Sequence, residues 1–182
     1  MTVAIATALF GLLISAGDAA SNSQSAATSD QARRAFIEQA DREWPGESYQ
    51  QAITVDSLVL LANAVASLAQ QQGILVRLAD DVAQLRVNIR GYRAALPDDD
   101  RQSARLRRTL VHASGLIQRL LAEANQKRRS SDPALGALRR AAESLDINQS
   151  LRRQPDLIER FFAQAAIILQ HLDQQPTRPR EV

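Results

Sequence analysis

No cysteine occurs among the 182 residues. Disulfides, thiolate nucleophiles, Cys-based zinc sites and a lipidated-cysteine anchor are excluded with it. Aromatic residues are scarce at 4%, so most of the 45% apolar content is Ala, Leu, Val and Ile. Small and aliphatic side chains at helical spacing build packed bundles rather than sheets. Seven glycines and six prolines are few, and they gather at segment boundaries. Long unbroken stretches are left for helix.

Catalytic vocabulary is thin as well. The two histidines, His112 and His171, have no His or acid four residues away, and no HExxH occurs, so no metal site is expected. Asp80-Asp81 and Asp98-Asp99-Asp100 are adjacent carboxylates. Neighbours on a helix diverge, so neither group forms a paired acid and base. There is no Gly-rich phosphate loop and no GxSxG elbow. The chain is therefore expected not to be an enzyme, with no cofactor and no small-molecule substrate implied.

What is present is organised around residues 48–96. This stretch holds no proline until Pro97 and two glycines, Gly73 and Gly91. Leu61, Val65, Leu68, Leu75, Ala79, Val82, Ile89 and Leu96 recur three and four apart, with Gln72, Arg86 and Arg93 as polar members of the row. That is one face of a helix, close to a coiled-coil seam. Gly73 could end the helix as a C-cap, with Ile74 supplying the apolar contact. The register continues across it and no N-cap residue follows, so a continuous or kinked helix is expected. Such a helix would span about 70 Å at 1.5 Å per residue. Shorter segments could cover it only end to end, which argues for a protein partner or a homo-oligomer.

The flanking segments follow from the same rules. Residues 3–16 are uncharged and apolar, too short to span a bilayer comfortably but the length of a signal-peptide core. Gly17-Asp18-Ala19 places small residues where a signal peptidase reads them, although no Lys or Arg precedes the run. Residues 1–20 are thus expected to be a signal peptide or N-terminal apolar anchor. A polar linker over 21–31, a helical bundle over 32–175 and a flexible tail over 176–182 complete the division. Within the bundle a first short helix runs over 29–43, with Ala32, Phe36, Ala40 and Trp44 on one face. Later helices carry Leu106, Leu110, Ala113, Ile117, Leu120 and Ala124, then Leu135, Leu138, Ala142 and Leu145, then Ile158, Phe161, Phe162, Ala165, Ile168, Leu169 and Leu172. The expected fold class is all-α: a helical bundle built on one long, continuous or kinked helix with three to four shorter helices.

Charge is uneven. Net charge is +2, yet residues 101–140 hold ten basic residues against Glu123 and Asp132, or +8, leaving −6 for the rest. Arg101, Arg105, Arg108, His112, Gly115 and Arg119 fall within about 40° of one line on a helix. This stripe is a candidate site for an anionic membrane surface or acidic partner, because guanidinium forks bind carboxylates and phosphates. The alternative is an ordinary solvated face, or one covered by acids of a neighbouring helix. Nucleic acid is disfavoured, since 101–140 lacks Phe, Tyr and Trp for stacking. The function expected is a non-enzymatic interaction or scaffold protein of a bacterial envelope, periplasmic or secreted, or anchored to the inner membrane. The alternative is a cytoplasmic or phage-type accessory protein associated with nucleic acid, with residues 1–16 folded into the bundle.

Overall fold

The computed structural model describes residues 30–42, 50–95, 101–124 and 133–173. The expected signal segment, most of the linker, Trp44, the Asp98–Asp100 acids and the tail lie outside the described residues. Among the described residues every regular element is helical. The first helix, α1, covers 30–40. It is followed by α2 (Gln51–Gln71), α3 (Leu75–Arg93), α4 (Gln102–Ala124), α5 (Pro133–Glu143), a 3-10 turn (Leu151–Arg153) and α6 (Pro155–Asp173). The chain is an all-α helical bundle.

The long stretch is two helices. Gly73 has φ +69, a left-handed conformation that glycine adopts at little cost. Its N–H donates to the Gln70 carbonyl at 3.0 Å, and the Ile74 N–H donates to the Ala69 carbonyl at 2.9 Å. These two bonds make a Schellman motif, and buried Ile74 provides its apolar contact beside Leu68 and Ala69. The missing N-cap proved no obstacle: Ile74 occupies that position with no side-chain cap. At 1.5 Å per residue the two helices are about 30 Å long, and they pack on each other. The length mismatch that argued for a partner therefore disappears.

The fold also shifts the register. In α2 the row Leu61, Val65 and Leu68 is buried as expected, and Leu58 extends it. In α3 the buried row is Leu78, Val82, Leu85, Ile89 and Tyr92. Ala79, Arg86 and Arg93, which continue the α2 period across Gly73, are exposed. The polar interruptions mark the side of α3 that turns away from the core.

Packing proceeds along the chain, α2 on α3, α3 on α4, α4 on α5 and α5 on α6, with a lesser contact between α2 and α4. All the helices feed one core cluster. The apolar row read for α6 is buried, as is that for α4 up to Leu120, and so are Leu138, Ala142 and Leu145 at α5, while Ala124 and Leu135 are half-buried. Helix α1 closes the bundle from the other end of the sequence. Its Phe36 is fully buried and meets Phe162 of α6 edge-on, centroids 6.4 Å apart, while Phe161 meets Phe162 at 5.5 Å.

Helix α2 carries a single charge, Asp56. It is the one described helix long and apolar enough to cross a membrane, judged by length and composition. Ten of its residues are buried against its neighbours, as the core helix of a bundle would be. Polar side chains fasten the ends. Gln51 Nε2 donates to the Tyr92 and Ala95 carbonyls, both at 3.1 Å, capping the end of α3 from the first turn of α2. Ser103 Oγ donates to the Gln149 carbonyl at 2.7 Å, tying α4 to the α5–α6 connection.

Candidate functional site

The arginine stripe occupies one edge of α4, where α4 meets α3. The α4 row from Leu106 to Leu120 faces the core, so Arg101, Arg108 and Arg119 are exposed and Arg105 and His112 are half-buried. The six stripe positions thus share an edge, as their spacing predicts.

Helix α3 covers part of that edge. Arg77 Nη1 donates to Glu123 Oε2 at 2.6 Å. Arg119 forms an ion pair with Asp81. Asn88 Nδ2 lies 3.0 Å from His112 Nδ1, where the amide N–H donates to the ring nitrogen. Gln84 in turn donates to Asn88 Oδ1 at 3.1 Å. The contacts advance along α3 through 77, 81 and 88 as they retreat along α4 through 123, 119 and 112. This is an antiparallel register, and at 100° per residue the α3 positions 77, 81, 84, 88 and 91 fall on one line.

Extending that register toward the start of α4 brings Tyr92 level with Arg108, and Ala95 level with Arg105. Helix α3 therefore supplies carboxylate or amide groups to the His112–Glu123 half of the edge and none to the Arg101–Arg108 half. Arg101 and Arg105 make contacts of their own within the chain. Arg108 is exposed and has no ion pair among the described residues. Gly115, at the middle of the edge, has open space where a Cβ would stand.

Two chemistries follow along one edge. The His112–Arg119 half is a network of neutralised or hydrogen-bonded groups, which answers to the covered-face alternative. Its exposed ion pairs contribute little stability, about 0–1 kcal/mol each. In the other half Arg101 and Arg105 have contacts within the chain, and Arg108 is the exposed guanidinium without an ion pair among the described residues. Asp81, Gln84, Asn88 and Glu123 were missed as members of this site. Their signal was available in the α3 line just described, but it has meaning only once Gly73 is a turn and α3 lies antiparallel to α4. Among the described residues no three His, Asp or Glu side chains group as metal ligands would. No family model, curated protein or solved structure matches this chain.

Proposed function

We propose that this chain is a non-enzymatic helical interaction protein of a bacterial envelope, and that it docks an anionic partner along the α3–α4 edge at Arg101, Arg105 and Arg108. The observation carrying this is the asymmetry of the edge. Acid and amide side chains of α3 meet the His112–Arg119 half, whereas Arg108 is exposed and makes no ion pair among the described residues, beside Arg101 and Arg105, which have contacts within the chain. A fixed helix edge with arginines one turn apart offers forked donors to carboxylates or phosphates. Placement in the envelope rests on the apolar run at 3–16 and the small residues after it.

The test is charge reversal of Arg108→Glu, alone and with Arg105→Glu, assayed against anionic vesicles, an acidic polypeptide and duplex DNA at low salt. Loss of vesicle or polypeptide binding supports the proposal. Unchanged binding to all three leaves the stripe as surface decoration. Selective loss of DNA binding would favour the nucleic-acid alternative. N-terminal sequencing decides export: a start near Ala20 supports it, and an intact Met1 in the cytosolic fraction ends it.

A further inference from the structure

On the far side of α3 from the arginine edge, a cleft of about 540 Å³ opens between α2 and α3. Its apolar lining is Ala66 on α2 and Leu75, Ala79, Val82 and Ala83 on α3, and α1 adds a third wall through Ala32. Ser67 and Gln70 line it toward the hairpin turn, and Asn63 and Arg86 line it toward the other end. Leu75, Ala79 and Arg86 belong to the sequence row that the register shift withheld from the core, and Val82 joins the cleft to the core. Small side chains on both helices leave the space unfilled.

The cleft has a polar end of one sign. Arg86 Nη2 donates to Asn63 Oδ1 at 3.3 Å. Among the described residues no acid lines the cleft, and Arg86 makes no ion pair. One guanidinium N–H is engaged by a neutral amide, and the Arg86 side chain is exposed. Arg90 and Arg93 follow on the same side of α3, one and two turns on, and both are exposed. The single acid of α2, Asp56, lies about two turns from Asn63.

We infer that the α1–α2–α3 cleft is a binding site for a single-chain anionic amphiphile. The alkyl chain lies over Ala66, Ala79, Val82 and Ala83, and the carboxylate or phosphate head meets Arg86 beside Asn63. The volume falls within the range of about 300–1,000 Å³ usual for small-molecule sites, which combine an apolar lining with a few convergent polar groups. It is too small for a partner helix: three turns of a 10 Å cylinder occupy about 1,250 Å³, and α1 already walls one side. A guanidinium held by a neutral hydrogen bond keeps its full charge for an incoming anion.

The experiment is calorimetric titration of the full chain with dodecanoate and with a lysophosphatidate below their micelle concentrations, beside dodecanol and dodecyltrimethylammonium. Saturable binding of one or both anions, with weak or no binding of the neutral and cationic chains, is expected. Arg86→Ala should weaken the anion about tenfold, as loss of a charge-assisted bond does. Ala83→Phe should abolish binding by filling the cleft, and because Ala83 is exposed its helical circular dichroism and melting should stay as in the parent. Failure of both anions to bind overturns the inference. So does anion binding that neither variant changes, or binding of an acidic amphipathic peptide in their place. If Ala83→Phe fails to fold, Arg86→Ala with the head-group comparison still decides it.

Discussion

Single positions in this bundle behave oppositely according to backbone conformation. Gly73 sits at positive φ with nothing within 4 Å of a Cβ. Gly73→Ala should therefore lose stability through backbone strain alone, about 1 kcal/mol. Gly91 also has nothing near a Cβ but lies within α3. Gly91→Ala should gain up to about 1 kcal/mol, or about 2–4 °C in Tm for a chain this long. Thermal melts of the two variants check both signs. Tyr92 is fully buried and its hydroxyl has no hydrogen-bond partner. Tyr92→Phe removes that buried hydroxyl and should leave stability unchanged or raise it by about 1 kcal/mol. Gln154 is the reverse case. Its side-chain oxygen accepts from the Asp146 N–H at 2.7 Å, and its Nε2 donates to the Asp146 and Gln149 carbonyls at 2.9 and 3.1 Å. Gln154→Ala leaves the half-buried Asp146 N–H unpaired, while the Gln149 carbonyl keeps Ser103 Oγ and the Asp146 carbonyl keeps the Gln149 N–H, so it should cost about 1 kcal/mol, measured by urea unfolding. None of this distinction was legible in sequence, because a glutamine before Pro155 and a tyrosine before Arg93 carry no sign of their burial.

At the scale of elements, what was legible depended on periodicity, and what was not depended on phase. Helices α4, α5 and α6 show their buried rows directly, since each is bounded by proline or acid and meets the core on one stripe. The 48–96 stretch misled because a three-residue turn, Gln72 to Ile74, happened to preserve the three-and-four spacing. Its polar members, Gln72, Arg86 and Arg93, were the better witnesses. Leu78, Leu85 and Tyr92 form an uninterrupted row with Val82 and Ile89, and that row is the core. The arginine stripe was legible as a line on α4, but which of its members α3 contacts required the α3 register. The Gln51 cap was invisible, because it depends on α2 and α3 ending at the same level. Gln51→Ala should release the last turn of α3. Amide exchange should accelerate at Arg93, Ala94 and Ala95 while the Leu78–Leu85 amides stay protected.

For the molecule as a whole, the charge asymmetry and the order of packing have separate consequences. Binding at the α3–α4 edge should weaken steeply between low and physiological salt, because exposed charges are screened over about 8–10 Å; the salt slope in a vesicle-binding assay reads this. Helices α2 to α6 pack each on its sequence neighbour, which keeps loop closure local and favours rapid folding. Phe36 breaks that rule, reaching from the first helix to the last. Phe36→Ala should cost about 3–5 kcal/mol, read by chemical denaturation, because it empties a fully buried aromatic site. It also sets an order of events in the cell. On a ribosome, or partway through a translocation channel, the chain has already delivered α1 while Phe162 is still to come. Until the final helix arrives, that ring lacks its Phe162 partner, so the bundle stays ajar for nearly the whole of its own delivery.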